Sequence, residues 1–149
     1  MRGDKIVWAP GEIRGVIHGP LPNKSNSRKL VRVRGRMLFI KEQAAIDWMK
    51  AFDVATAASV RFEDEYDFDI TPEMRLSLHA TVYQKDMLRD LDIELLCDAL
   101  QKSGVIQNDR AIWEKHAIRK IDKENPRVEF VLRPFSGDQA NGSDSKGGA

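Results

Sequence analysis

Residues 76–100 read LSLHATVYQKDMLRDLDIELLCDAL, and the hydrophobic period changes within this stretch. From Leu76 onward apolar and polar residues alternate, which predicts a strand with one buried side and one solvent-facing side. From Ile93 to Leu100 the apolar residues instead fall at i, i+3, i+4 and i+7, the spacing of one helix face. The stretch therefore predicts a strand followed by a helix, and Gly104 is a natural helix stop.

Similar patterns recur on both sides of this stretch. A second helix is predicted from Lys41 to about Ala58, because its apolar residues share one face: Ala45, Trp48, Met49 and Phe52. Further strands or extended pieces are predicted at Glu12–Gly19, within 32–40, and at Ala111–Lys120 and Arg127–Arg133. No element is predicted for residues 1–11, which Pro10 and Gly11 interrupt. This order predicts an α+β domain with a small mixed, mainly antiparallel sheet and two helices.

Length and composition set outer limits on the organisation of the chain. Its 149 residues fit one domain, predicted at 1–135. Residues 136–149 read SGDQANGSDSKGGA, and this polar, glycine-rich composition predicts a disordered tail. Charged residues make up 32% of the chain, yet the net charge is only +1, so the overall balance does not indicate a nucleic-acid partner. Any such argument depends on where the charges lie.

Cysteine, histidine and hydropathy usage exclude several classes of protein. The single cysteine, Cys97, rules out an intramolecular disulfide and lies on the apolar helix face, where a core role is favoured over that of a nucleophile. The absence of a signal segment predicts a cytoplasmic protein, and no stretch approaches the ~20 apolar residues that span a membrane. His18, His79 and His116 are scattered without zinc-site spacing, so no zinc site is predicted and His79 is expected to be a bystander.

Three aspartates are the candidate catalytic and metal-binding residues. Asp90 and Asp92 are two positions apart, so both point the same way on an extended segment, and Asp109 follows the helix and can fold back beside them. If helical geometry begins at Asp90, then Asp90, Glu94 and Asp98 form a row. Crowded carboxylates require a nearby cation, and the candidates are Arg89, Lys85 or a hard divalent ion such as Mg²⁺, which prefers oxygen ligands. Alternatively, Asp92 simply caps the helix, and spacing alone leaves both interpretations open.

A basic arm and an acid-rich segment lie elsewhere in the chain. No acidic residue occurs between Ile13 and Lys41, which is typical of a surface that binds phosphate backbones. Arg32, Arg34 and Arg36 alternate and are predicted to share one face of a strand. A solvated basic loop is the alternative. The acidic run at 63–69 is interpreted as a solvated loop rather than a second metal site. The predicted DNA-binding residues are Lys24, Asn26, Arg28, Lys29, Arg32, Arg34, Arg36 and Arg89.

The motifs together resemble the RusA family of phage and prophage Holliday-junction resolvases. The resemblance runs from about Ile17 to Leu132 and depends on the order of several short segments, each weak alone. These are Gly19-Pro20 with Asn23-Lys24-Ser25-Asn26, Tyr83 with Arg89-Asp90-Leu91-Asp92, Asp98-Ala99-Leu100, Gly104-Val-Ile-Gln-Asn-Asp109, and Pro126-Arg127-Val128-Glu129.

The resemblance implies a homodimer that binds four-way DNA junctions and makes paired nicks. It implies Mg²⁺, with Mn²⁺ as a possible substitute, held by Asp90, Asp92 and Asp109. A dimer suits this task because the junction itself has two-fold symmetry. Apolar residues that are candidates for the dimer interface are Trp8, Trp113 and Val131.

Two departures from the family pattern weaken the cleavage prediction. Ile93 stands where the family usually has an asparagine, and the helix is about two residues shorter and lacks the family's lysine, with Glu94 at the nearest position. The positive charge would then come from Lys85, Lys115 or Lys120. A branched-DNA-binding protein with weak or no cleavage is therefore the alternative function, and a structural protein that binds no nucleic acid is the third.

Overall fold

The computed structural model describes residues 3–24, 28–61 and 70–136. These residues form eight strands and two helices. The strands are β1 (Lys5–Ala9), β2 (Glu12–His18), β3 (Arg28–Val33), β4 (Arg36–Lys41), β5 (Val60–Arg61), β6 (Leu76–Gln84), β7 (Ile112–Ile121) and β8 (Arg127–Pro134), and the helices are α1 (Gln43–Ala57) and α2 (Glu94–Lys102). The acidic run at 63–69 and the tail predicted at 136–149, apart from Ser136, lie outside the described residues.

Six strands form one mixed sheet in the order β5-β1-β2-β8-β6-β7. The β1–β5 and β6–β7 pairs are parallel, whereas β1–β2, β2–β8 and β6–β8 are antiparallel. Strands β3 and β4 form a separate antiparallel ribbon. The predicted α+β class, with a mainly antiparallel mixed sheet and two helices, is confirmed.

The change of hydrophobic period in residues 76–100 builds a strand–helix–strand unit. Parallel neighbours such as β6 and β7 need a crossover connection, and the chain makes it through α2. The predicted core positions of β6 are buried: Leu76, Leu78, Ala80 and Val82. The predicted apolar face of α2 is buried too, and Leu95 and Ala99 extend it. This β6–α2–β7 unit positions both polar clusters that are described below.

The core lies between the sheet and the two helices. Phe52 of α1 stacks on Phe130 of β8 with ring centroids 5.9 Å apart, and Trp48 packs beside Phe52. A Cβ atom at Gly15 of β2 would lie 2.4 Å from the Phe130 ring, closer than side chains tolerate. Glycine at position 15 therefore lets the ring close over the strand.

Strand β1 was not predicted from the sequence. Ala9 pairs with Glu12, so Pro10 and Gly11 form a two-residue hairpin turn between β1 and β2. Gly11 has a φ of 76°, as the second central residue of a type II turn requires, and proline suits the position before it. The two residues that interrupt the pattern join two strands instead of marking an irregular segment.

The prediction that Arg32, Arg34 and Arg36 share a strand face is wrong. Arg34 and Gly35 have φ angles of 51° and 79° and form the two-residue turn between β3 and β4, as in a type I′ hairpin. Val33 pairs with Arg36, so Arg32, one residue earlier, projects from the opposite face to Arg36. The alternating arginines span a turn, so their spacing in sequence does not place them on one strand face.

The described residues include no helix long and apolar enough to cross a membrane. Of the candidate interface residues, Trp8 is buried, Val131 is half-buried, and Trp113 is 57% exposed. Trp8 is thus part of the core, where the Arg61 guanidinium lies 3.8 Å from its ring centroid.

Candidate functional site

The start of α2 leaves both Asp90 and Asp92 in the loop that precedes the helix. Helix α2 begins at Glu94, so Asp90 lies in the loop before it and only Glu94 and Asp98 share a helical row. The Oδ1 atom of Asp92 accepts a hydrogen bond from the Glu94 backbone N–H at 2.9 Å. The capping interpretation is wrong in its residue, because Ile93 is the N-cap and makes no side-chain cap hydrogen bond; Asp92, one residue earlier, still satisfies a free N–H of the first helical turn.

The loop that follows β2 brings a lysine to these acids. The Gly19 N–H donates to the Pro126 carbonyl at 2.8 Å, and Leu21 is buried, which fixes the path of the loop. The backbone N–H of Lys24 donates to Oδ2 of Asp92 at 3.0 Å. The Lys24 Nζ atom lies 3.1 and 3.3 Å from the two carboxylate oxygens of Asp98.

Asp98 contacts the Lys24 ammonium, and the charges of other acids act on it from further away. The hydrogen bond and charge of Asp98 raise the pKa of Lys24, and the charges of Glu94 and Asp109 add to this effect. The Asp109 backbone N–H donates to Oε1 of Gln101 at 2.9 Å, which anchors the start of the short 3₁₀ turn against α2. Asp109 thus folds back toward the polar side of α2.

A second lysine approaches the same acids from β7. The Lys115 Nζ atom lies 3.3 Å from Oε1 of Glu94. Partial burial lowers the pKa of Lys115, but the groups Cys97, Glu94 and Asp109 outweigh it, so the pKa is raised. Burial raises the pKa of the Cys97 thiol to about 11, so that thiol is uncharged at neutral pH. Cys97 is a core residue, as predicted.

Asp90 and Arg89 are exposed and lie in the loop that precedes α2. The Asp90 carbonyl oxygen accepts a hydrogen bond from Gln84 Nε2 at 3.4 Å, and the Arg89 carbonyl accepts one from Arg119 Nη2 at 2.7 Å. The Asp90 carboxylate makes no hydrogen bond or ion pair within residues 3–24, 28–61 and 70–136. The structure joins Asp92 to the backbone N–H of Lys24 and Asp109 to Gln101 of α2, and leaves the Asp90 side chain exposed.

The donor chemistry of this acidic cluster, defined here as Asp92, Glu94, Asp98 and Asp109, suits a hard cation. Carboxylate oxygens are the protein ligands that Mg²⁺ prefers. In the described part of the chain, Asp90, Asp92 and Asp109 do not form a group whose ligand oxygens all lie within 4.8 Å of one another. Like charges separate unless a cation lies between them, and here the Lys24 ammonium is the cation that contacts Asp98 of the cluster. The carboxylates of the cluster are therefore chemically suitable ligands for such an ion, and Lys24 lies where positive charge is stabilised.

The predicted DNA-binding residues fall into three groups. Arg32, Arg34 and Arg36 are exposed on the β3–β4 ribbon, and Arg89 is exposed beside the acidic cluster. Lys24 lies in the acidic cluster and not on the ribbon. Asn26 and the side chains of Arg28 and Lys29 lie outside the described residues.

A second polar cluster was missed in the sequence. His79, Glu114 and His116 have ligand atoms that all lie within 4.8 Å of one another. The parallel register of β6 and β7 pairs His79 with His116 and Ser77 with Glu114, across more than thirty residues of sequence. Spacing along the chain carries no signal for this cluster, because strand pairing alone creates it. His79, predicted to be a bystander, has a defined set of polar neighbours.

No protein-family model matches this chain. The crossover junction endodeoxyribonuclease RusA of Aquifex aeolicus (strain VF5) is 35% identical to it over 74 residues, which cover 48% of this chain and 55% of that protein. The chain therefore matches about half the length of this relative. The similarity confirms the resemblance identified in the motifs and supports a relationship to the RusA resolvases.

Proposed function

We propose that this protein is a Mg²⁺-dependent, structure-selective endodeoxyribonuclease that resolves four-way DNA junctions by paired symmetric nicks. The observation that carries the proposal is that two separate stretches bring acids to α2: Asp92 is bound by the backbone N–H of Lys24, and the backbone of Asp109 is bound by Gln101 of α2. The 35% identity to a RusA crossover junction endodeoxyribonuclease supports it. Oxygen ligands beside positive side chains are the groups needed to bind a metal ion and a phosphodiester together.

The proposed metal ligands are Asp90, Asp92 and Asp109, with Mn²⁺ as a possible replacement for Mg²⁺. These residues would hold the ion, which would supply Lewis-acid polarisation of the scissile phosphate and activation of a water. Asp92 is held by two backbone N–H donors, from Lys24 and Glu94, so its carboxylate has a fixed orientation. Asp109 is positioned through its backbone by Gln101.

Lys24 and Lys115 are proposed to supply the positive charge that the missing helix lysine would give. The neighbouring acids raise the pKa of both side chains, so both stay protonated at neutral pH. They flank the acidic cluster from the β2–β3 connection and from β7. Fixed positive charge beside a phosphate stabilises the extra negative charge of the transition state.

Branched DNA is the proposed partner, bound through its phosphates. The exposed arginines of the β3–β4 ribbon and Arg89 are the described residues that support this: Arg32, Arg34, Arg36 and Arg89. Lys24, Asn26, Arg28 and Lys29 complete the proposed set from sequence. Because phosphate contacts release counterions, affinity should fall steeply with salt concentration.

A homodimer is proposed because two symmetric cuts need two symmetric active sites. Trp113, which is 57% exposed, and Val131 are the remaining interface candidates. Analytical ultracentrifugation should give twice the mass of 16.9 kDa. A cytoplasmic location stays a prediction.

The test is Mg²⁺-dependent nicking of a labelled synthetic four-way junction. Asp109→Asn, Asp92→Asn and Asp90→Asn should each lower the nicking rate by on the order of 100-fold, as removal of one group that stabilises transition-state charge does. Junction affinity should stay within a few fold of wild type. Asp53→Asn, an exposed acid on α1, is the matched control and should nick normally.

A branched-DNA-binding protein with weak cleavage is the second candidate. The contact of Lys24 with both oxygens of Asp98 favours it, because that lysine neutralises an acid of the cluster. Equal junction binding by wild type and Asp109→Asn, with no nicking by either in Mg²⁺ or Mn²⁺, would establish this alternative. Junction affinity that is absent or insensitive to salt would exclude both candidates.

A further inference from the structure

The second polar cluster, His79, Glu114 and His116, lies on the outer face of the sheet. On β6, core residues alternate with Ser77, His79 and Thr81, so His79 projects away from the helices. Two of its members, His79 and His116, line a groove of about 570 Å³ that also includes residues of β1, β2 and β8. The cluster is thus separated by the sheet from the acidic cluster on α2.

The geometry of the cluster brings two imidazoles and a carboxylate together. The rings of His79 and His116 stack with centroids 4.5 Å apart and an angle of 13° between their planes. Oε2 of Glu114 lies 3.4 Å from Nε2 of His116. The ligand atoms lie within 4.8 Å of one another, and rotation of the stacked rings would turn their nitrogens toward one ion.

A buried hydroxyl orients two of the three side chains. The Oγ atom of Ser77 donates to Oε1 of Glu114 at 2.6 Å and lies 3.1 Å from Nε2 of His79. Ser77 is only 5% exposed, so this contact is part of the packed strand pair. Outer hydrogen bonds of this kind fix the orientation of ligands in metal sites. Ser77 is therefore a positioning residue.

The donor atoms determine which ion would bind. Imidazole nitrogen suits Zn²⁺, Co²⁺, Ni²⁺ and Cu²⁺, whereas Mg²⁺ and Ca²⁺ prefer oxygen alone. Two histidines and one glutamate form a known ligand set for zinc, with three protein ligands and an open fourth position. The partly exposed side chains, 52% for His116 and 39% for Glu114, leave room for water there.

We propose that His79, Glu114 and His116 bind one divalent transition-metal ion of the Zn²⁺ class, with water in the fourth position. The ion joins β6 to the neighbouring strand β7. It binds the paired strands and not the unfolded chain, so it stabilises the fold by mass action. This site is independent of the proposed nuclease activity and of the acidic cluster.

The experiment uses the full chain, freed of metal with a chelator and kept in millimolar Mg²⁺ to saturate oxygen-only sites. Zn²⁺ is titrated by calorimetry, Co²⁺ by visible absorption, and the melting temperature is measured with and without Zn²⁺. One Zn²⁺ should bind per chain and raise the melting temperature. His79→Ala, His116→Ala and Glu114→Gln should weaken binding by about tenfold or more, as loss of a ligand should cost at least as much as loss of its outer-shell partner.

His18→Ala is the matched control, because His18 lies on β2 and its Nδ1 atom is 3.0 Å from Oδ1 of Asn125. That variant should bind Zn²⁺ like wild type. If a histidine variant fails to fold, paramagnetic shifts or loss of the His79 and His116 ring NMR signals on adding Co²⁺ to the wild type test the site without mutation. Three outcomes would overturn the proposal: no Zn²⁺ binding, binding that survives the double variant His79→Ala/His116→Ala, or binding that is lost in Asp109→Asn alone.

Discussion

The acidic cluster on α2 and the histidine cluster on β6 and β7 lie on opposite sides of the same strand–helix–strand unit. In the first, Lys24 contacts Asp98 of α2 and Asp92 of the preceding loop, and Lys115 contacts Glu94. In the second, two imidazoles and one carboxylate come from adjacent strands in register. The first cluster contains oxygen and ammonium groups, whereas the second contains ring nitrogens. The two therefore favour different ions.

This difference follows from how each cluster is assembled. Strands fix side chains with a period of two, so His79 and His116 become neighbours as soon as β6 and β7 pair. The acidic cluster instead depends on the paths of two connections, which bring Lys24 and Asp109 to α2. A cluster on paired strands is set by strand register, while a cluster built from connections is set by the hydrogen bonds that hold those connections.

The largest expected effect is a loss of stability in the sheet on which both clusters depend. Gly15→Ala should lower the free energy of unfolding by about 2–3 kcal/mol, because its Cβ atom would lie 2.4 Å from the Phe130 ring in a packed core. Urea denaturation measures the change. Arg14→Ala, at the exposed neighbouring position, is the control and should cost far less. A Gly15→Ala variant as stable as wild type would mean that Phe130 has room to move.

The next effect tests whether Lys115 acts in nicking while leaving Zn²⁺ binding at the histidine cluster unchanged. Lys115→Met should lower the rate of junction nicking by roughly tenfold, or about 1.4 kcal/mol of transition-state free energy, because the positive charge beside Glu94 is lost. Single-turnover nicking measures it, with Zn²⁺ binding as the second readout, which should not change. Lys102→Met, an exposed lysine in the last turn of α2, is the control. Equal rates for both variants would remove Lys115 from the proposed mechanism.

The smallest effect concerns an ion pair near the end of β7. The Arg127 guanidinium, 2.8 Å from Asp122, lowers the pKa of that carboxyl through a hydrogen bond. Because the folded pKa is below the unfolded value, this stabilisation is present above the unfolded pKa of about 4 and is lost as pH falls through the folded pKa.

Asp122→Asn should therefore lower the urea midpoint slightly at neutral pH, and its curve should meet that of wild type in strong acid. Denaturation curves across the acid range measure the difference. Asp53→Asn is the control at an exposed position on α1. A gap between Asp122→Asn and wild type that stays constant across this range would show that the ion pair does not contribute.

Local periodicity was sufficient for most elements but not for turns. The alternation of β6 and the helical spacing of α1 and α2 predicted their buried faces, because each pattern is repeated over several residues. The hairpin turns at Pro10–Gly11 and Arg34–Gly35 were not predicted, because a two-residue turn leaves little pattern in the sequence. Arg32 and Arg36 consequently lie on opposite faces of their ribbon.

The sequence by itself determined the α+β class, the core faces and the candidate acids, because these depend on residue type and short-range spacing. Only the tertiary structure decided that Lys24 contacts Asp98 and that His79 stacks on His116. Such contacts depend on strand register and loop path, which long-range packing sets. A site formed by residues that are distant in sequence can therefore be identified only in the folded structure.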